Sequence, residues 1–259
     1  MICLPNEQLF AAQKQIELFE GENWQTHAPA TVDTTSSKGS AESVFWVLLG
    51  LAIWHSISHQ QVSFLGLDRI AWMEIGRVDG QSMLVGRQWW RAVTSLTLHS
   101  GPEHLLSNLV FGGVFLHFLC RETGPGVAWS LTVITAGLAN AVNVIIHGHD
   151  HLAIGASTAV FAALGLLIGF QQQSSTPRGW AFAPVGAGLA LLAWLGTGGE
   201  RTDVGAHLFG FAAGLALSLG VSKAGLWNVL VLRQLPQGMC GLCAFGCIVS
   251  AWGAAIIFS

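Results

Sequence analysis

A chain of 259 residues that is 52% hydrophobic and only 10% charged, with a mean hydropathy of +0.55, falls outside the composition of soluble globular proteins. Its formal charge of -3 and the lack of any Lys/Arg cluster exclude nucleic acid as a partner and a polybasic lipid anchor as the means of membrane attachment. The expectation is an all-α, polytopic membrane protein whose interfacial aromatics are tryptophans, since the chain has 11 Trp and no Tyr.

Residues 1–42 are polar and read as an N-terminal segment outside the bilayer. Within them Leu9, Phe10, Ala12, Ile16 and Phe19 recur at rough helical spacing, which predicts a short amphipathic helix, and Thr26 to Ser40 reads as a linker. Met1 to Glu20 lacks a basic region followed by an apolar core, so no cleavable signal peptide is expected. Seven apolar segments follow, at 43–59, 103–120, 126–147, 152–171, 180–198, 204–222 and 238–258. Each approaches the roughly 20 residues that a helix needs to cross hydrocarbon. The first six make a core over 43–222, and 223–259 holds a connection and the seventh span. One connection, 60–101, is long and carries Asp68, Trp72, Glu74, Asp79, Trp89 and Trp90, so it is expected to fold on the outer surface.

Orientation follows from Lys and Arg in the short connections, where the charge rule is strongest. Arg121, Arg178, Lys223 and Arg233 fall on the side of the N-terminus, against Arg201 on the other, which predicts a cytoplasmic N-terminus. The cysteines Cys3, Cys120, Cys240, Cys243 and Cys247 give no disulfide framework. The last three mark one face of an apolar helix and read as small hydrophobes.

On that topology the segments that open near His104, Ser157 and His207 all begin at the outer face, which puts three polar groups from three spans at similar depth. Taken singly, a serine in a span back-bonds to its own turn, and a histidine makes an interhelical hydrogen bond. Together they cost free energy in lipid and should face a protein interior or a wet cavity. A serine hydroxyl needs a base within hydrogen-bond reach, and His207 is the candidate. Gly210 and Gly214 lie on the face of His207, while Gly155, Ala159, Ala162, Ala163 and Gly165 offer a small surface opposite, so two backbones can approach closely. His104 and Asn108, one turn apart, and the Ser157 amide are candidate donors to an oxyanion. Asp203 stands only at the mouth of its segment, which favours a Ser-His dyad over a triad.

Three motifs resemble those of the rhomboid intramembrane serine proteases: Trp90-Arg91 followed by His99 and His104-x-x-x-Asn108; Gly155-x-Ser157; and Ala206-His207-x-x-Gly210-x-x-x-Gly214. Their order and spacing agree from about Gly86 to Gly214. The resemblance implies a six-helix core with an extra C-terminal helix. It implies Ser157 as nucleophile, His207 as general base, and His104, Asn108 and the Ser157 amide as oxyanion hole. It implies Arg91, His99 and Glu122 as structural supports, Phe161 as an aromatic packed on the histidine, and transmembrane proteins as substrates within the lipid bilayer, with no cofactor. Thr158 departs from the family's Gly-x-Ser-Gly pattern. The compact connections suit a bacterial inner membrane.

Other readings compete. His147-x-His149-Asp150-His151 carries metal-ligand residue types, but in a short connection it reads as a wet loop beside the site rather than a metal centre. His55 and His59 read as interfacial hydrogen bonders, and without His-Glu-x-x-His a zinc metalloprotease is disfavoured. A catalytically silent rhomboid-like protein that binds transmembrane clients is the alternative function. A transporter would call for an internal repeat, which the chain does not show.

Overall fold

The computed structural model describes residues 14, 15, 17, 18, 34–60, 69–171, 203–226 and 235–258. The chain divides into two compact units, Met1–Thr35 and Ser36–Ser259. In the first, Lys14, Gln15, Glu17 and Leu18 are helical and exposed, and the rest of the expected amphipathic helix lies outside the described residues.

The described residues from Thr34 onward are mostly helical, with one two-stranded ladder. Helix α1 spans Thr34–Ser58, followed by α2 (Arg69–Gly76), strand β1 (Val78–Asp79), α3 (Gly80–Leu84) and α4 (Arg91–Thr94). Then come α5 (Pro102–Thr123), α6 (Pro125–His147), strand β2 (Leu152–Ala153), α7 (Ser157–Gln171), α8 (Val204–Lys223) and α9 (Gln237–Phe258). The stretches Gly39–Ser58, Pro102–Thr123, Pro125–His147, Val204–Lys223 and Gln237–Phe258 are long and apolar enough to cross a membrane, and Ser157–Phe170 is a shorter apolar helix. The expected span at 180–198 lies outside the described residues. Proline in the first turn of α5 and α6 suits a position whose amide has no intrahelical partner. Between these two helices Gly124, at φ 86°, makes the reversal that a side chain would resist.

The fourth span starts later than its apolar run suggests. Leu152 and Ala153 are extended, pairing antiparallel with Asp79 and Val78, so the helix begins only at Ser157. The described part of this central helix is about 22 Å long at 1.5 Å per residue, and it starts after the strand rather than at the beginning of the apolar run. From Val160 to Phe170 every residue of α7 is buried, and the helix packs against α5, α6 and α8.

Glycines set the α7–α8 distance. A Cβ on Gly210 would lie 2.5 Å from the Thr158 carbonyl oxygen, and one on Gly214 would be 2.9 Å from the Leu166 nitrogen and overlap the Ala162 carbonyl. From the other side, a Cβ on Gly165 would strike the Phe211 carbonyl, and one on Gly169 the Ser218 hydroxyl. The two backbones are therefore in direct contact from Thr158 to Leu166, and at Gly169 the small Ser218 side chain fills the space between them.

Residues 69–101 of the loop between α1 and α5 are folded. Arg91 is buried, its Nη1 donating to the Glu74 and Arg77 carbonyls at 2.6 and 3.0 Å and its Nε to Gln88 Oε1 at 2.6 Å. Thr94 Oγ1 donates to the Gly76 carbonyl at 2.7 Å. Trp54, Trp72 and Trp252 meet edge to face, with ring centroids 5.0 to 5.4 Å apart, tying α1, the loop and α9 together. Helix α9 runs parallel to α6. Gln237 Oε1 accepts from Val127 N–H at 3.1 Å and the Ser130 hydroxyl donates to the Cys240 carbonyl at 2.6 Å at their starts, while Trp252 Nε1 reaches Thr97 Oγ1 at 3.0 Å further along α9.

His99, fully buried at the end of the loop, accepts from the Ala156 N–H through Nε2 at 3.4 Å. Burial, helped by the neighbouring charges of His104, His55 and His59, pushes its pKa down to about 3. The folded chain thus holds His99 neutral while the unfolded chain protonates it near 6.5, so stability falls as pH drops below that value.

Two expectations follow from this packing. In detergent, Gly214→Ala lowers the unfolding temperature, by an overpacking penalty of about 1–3 kcal/mol. Gly253→Ala, at a site where a Cβ meets nothing within 4 Å, leaves that temperature unchanged or raised. Between pH 6.5 and 4 the wild type loses stability, and His99→Gln, which still offers Ala156 an acceptor, loses less, the difference growing by up to about 1.4 kcal/mol per pH unit. Identical pH dependence in the two proteins would contradict the buried neutral imidazole.

Candidate functional site

A cavity of about 880 Å³ opens where α5, α7 and α8 begin. Its wall includes Ser157 and Thr158 from α7, His207 from α8, His104 and Asn108 from α5, and Asn140 from α6. Starting from one end, α5, α7 and α8 direct the positive ends of their backbone dipoles at this space. An anion formed there is stabilised before any side chain is considered.

The loop that delivers Ser157 is held from both sides. Gly155 N–H donates to the Ser95 carbonyl at 3.0 Å, and the next amide, of Ala156, bonds to His99. Gly155 has φ 131°, which L-residues avoid, and a Cβ there would lie 2.6 Å from His104 Cε1. Glycine is thus required twice over at the first position of Gly155-x-Ser157. The helix then starts at once, with Val160 N–H donating to the Ala156 carbonyl at 2.9 Å, so the Ser157 amide is a first-turn donor without an intrahelical partner.

Phe161, one turn after Ser157, stacks on His207 with ring centroids 4.6 Å apart at 28°. That contact lays the imidazole on the face of α7 that carries the serine. Among the described contacts no hydrogen bond joins Ser157 to His207, although both line the cavity. His207 Nδ1 is enclosed and has no partner. Asp203 does not orient it: its Oδ1 caps α8 by accepting from Ala206 N–H at 2.9 Å, and its Oδ2 faces His151.

The His104 ring edge and the Ser157 hydroxyl flank the same glycine, since a Cβ built on Gly155 would be 2.8 Å from His104 Nε2 and 3.5 Å from Ser157 Oγ. His104 Nδ1 faces the Ser100 hydroxyl at 3.2 Å. Asn108 is buried and gives one amide hydrogen to the His104 carbonyl at 2.8 Å, which leaves the other for the cavity it lines. Arg91 and His99 act on the loop and on the Ser157 approach, as described above. Gly210 and Gly214 lie along the α7–α8 contact. Glu122 is half-buried in the last turn of α5, about 21 Å along the helix from Asn108, and does not line the cavity.

The histidine-rich connection is divided. His147 and His151 stack with centroids 5.0 Å apart, His147 Nδ1 bonds to the Asn143 carbonyl at 3.0 Å, and His149 is exposed. Asp203 draws in His151 at 3.1 Å and Asn143 Nδ2 at 2.9 Å. Burial alone would raise the Asp203 pKa, but the hydrogen bonds from His151, Ala206 N–H and Asn143 outweigh it and hold the carboxyl below its usual value.

Sequence reasoning missed Asn140, Asn143 and the role of Asp203. Asn140 Nδ2 donates to the Ala92 carbonyl at 2.9 Å and lies 3.2 Å from Ser95 Oγ, pinning the outer loop to α6. Two asparagines three residues apart in an apolar helix were a usable signal, as was Asp immediately before a helix, a favoured capping residue.

Residues 86–224 match the family model described as Rhomboid domain. A Bacillus subtilis (strain 168) protein named "Putative rhomboid protease YdcA" is 26% identical over 189 residues, covering 68% of this chain and 82% of its own length. With the family's domain spanning more than half of a multi-pass helical membrane protein, this chain belongs to the rhomboid family.

Proposed function

We propose that the chain is an intramembrane serine endopeptidase that cleaves peptide bonds in or near the transmembrane segments of other membrane proteins. The observation that carries this reading is the Phe161–His207 stack. It sets an imidazole over the helix face that presents Ser157, in a cavity that brings polar groups together within an apolar bundle. Family membership and the relative's name support the reaction class.

In this mechanism the Ser157 hydroxyl oxygen attacks the scissile carbonyl carbon while His207 accepts the hydroxyl proton. The negative charge that develops on the carbonyl oxygen meets the Ser157 amide, His104 and the free amide hydrogen of Asn108, in the field of three helix starts. Collapse breaks the C–N bond, and the leaving amine takes the proton from His207. Water then attacks the acyl-enzyme and gives a proton to His207, and collapse breaks the ester C–O bond as His207 returns that proton to the Ser157 oxygen, releasing the acid. With Asp203 engaged by the α8 amide, His151 and Asn143, the machinery is a dyad.

In this reading residues 1–42 form a cytoplasmic segment, 43–222 the catalytic core with its outer loop at 60–101, and 223–259 the connection and seventh span. The N-terminus is cytoplasmic and the cavity opens toward the outer face of the cell membrane. Polar lining suits water at that depth, which hydrolysis requires.

Ser157→Ala and His207→Ala each lower cleavage of a transmembrane test substrate by at least about 10³-fold, without change in yield or detergent extraction. His104→Ala lowers it by about 10²-fold, the effect of losing one oxyanion donor. Wild-type rates in Ser157→Ala or His207→Ala would overturn the dyad. A wild-type protein that captures a transmembrane client and never cuts it would favour the catalytically silent alternative.

A further inference from the structure

We propose that His151 and Asp203 are positioning residues: together with Asn143 they form a strut that fixes the first turn of α8, and so His207, against the loop that delivers Ser157. This inference rests on the Ser157–His207 reading above and adds residues that none of the three motifs contains.

Two segments must be registered for a serine and a histidine to react, and both residues lie in the first turns of helices, where ends tend to fray. His207 sits in the first turn of α8, where backbone amides lack intrahelical partners. The glycine contacts with α7 begin only at Gly210, so they fix the helix axis and leave the first turn to be held by something else. Asp203 holds it. Its carbonyl accepts from His207 N–H at 3.3 Å and its Oδ1 from Ala206 N–H at 2.9 Å.

Asp203 is anchored in turn by groups outside α8. Its Oδ2 lies 3.1 Å from His151 Nε2 and accepts from Asn143 Nδ2 at 2.9 Å, and Nδ2 and Nε2 are themselves 2.9 Å apart. The contact is sheltered, with side-chain exposures of 11% for His151 and 20% for Asp203. Asn143 is buried on α6. Gly205 makes the approach possible, because a Cβ there would lie 2.8 Å from Asn143 Oδ1 and 2.9 Å from His147 Cε1.

His151 is the other end of the strut. Its carbonyl accepts from Gly80 N–H at 2.8 Å, and the next residue, Leu152, pairs with Asp79 across the β1–β2 ladder. From there the chain runs through Gly155, bonded to Ser95, to Ser157. A short path of hydrogen bonds therefore joins the imidazole's helix to the serine's loop across the cavity mouth. Misplacement of a reacting group by about 1 Å can cost about 10²-fold in rate, which is the scale on which such a strut acts.

The test uses the full-length protein in detergent micelles and reads two quantities. Hydrogen–deuterium exchange follows peptides covering 203–209, and the second-order rate of labelling by a fluorophosphonate follows Ser157. His151→Ala speeds exchange in the first turn of α8 and slows labelling by roughly 10- to 100-fold, while the KM for a transmembrane substrate stays within about two-fold, because uniform binding is untouched. His151→Gln, whose amide nitrogen can stand where Nε2 stood, restores both readouts toward wild type. A merely structural residue would not give that pattern of falling kcat, steady KM and rescue. Asp203→Asn, which keeps the cap and loses the charge, provides a second variant should His151→Ala not fold, and it too slows labelling. Unchanged exchange in His151→Ala, or equal losses in His151→Ala and His151→Gln, would overturn the strut. A wild-type protein that never labels, with exchange still responding to His151→Ala, would overturn the Ser157–His207 reading and with it the positioning role, leaving only a structural tie.

Discussion

The arrangement depends on the direct backbone contact between α7 and α8. Gly210 and Gly214 on one helix and Gly165 and Gly169 on the other leave no room for a Cβ between them. In lipid, where apolar side chains gain little by leaving the solvent, such close van der Waals contact is a principal source of helix association. It also sets the spacing on which the proposed chemistry relies, because Ser157 and His207 stand at the starts of the two helices it joins.

Around that contact the bundle solves a second problem, which is to keep polar groups wet inside an apolar protein. Strand β2 takes up the first residues of the apolar run that leads into α7, so the helix starts below the surface and leaves a hollow above it. Three helix starts and the side chains of His104, Asn108, Asn140 and His207 line the hollow. The loop at 69–101 borders this region through Arg91, which ties two of its turns together, and through His99 and Ser95, which hold the two residues before Ser157. Gly155 is where these demands meet, in a backbone conformation and a contact with His104 that exclude any side chain.

Much of this was legible in the residues. The apolar runs locate α5, α6, α8 and α9 to within a few positions, because span length is dictated by the thickness of hydrocarbon. Helix α1, by contrast, begins at Thr34, well ahead of its run at 43–59 and inside the stretch read as a linker. The small faces around Gly210 and Ala162 announce close packing, and the polar groups at His104, Ser157 and His207 stand out because lipid penalises them. What could not be read is what depends on partners far away in the chain. Leu152 and Ala153 look like the start of a span, and only pairing with Val78 and Asp79 makes them a strand. Trp252 looks like one more apolar residue until it bonds to Thr97. His151 looked like one of three similar histidines, and its pairing with Asp203 gives it a separate place. Periodicity and spacing describe one element at a time, and these contacts join elements.

The central claim is that the cavity activates one hydroxyl among several. Ser157 and Thr158 are adjacent, both line the cavity, and Ser100 lies beside His104 on the same wall. Peptide mass spectrometry of the protein after treatment with a fluorophosphonate tests this most directly. The account predicts a single phosphonyl adduct on Ser157, absent when His207 is replaced by Ala. An adduct on Thr158 or Ser100 instead, or one on Ser157 that forms equally well without His207, would contradict it.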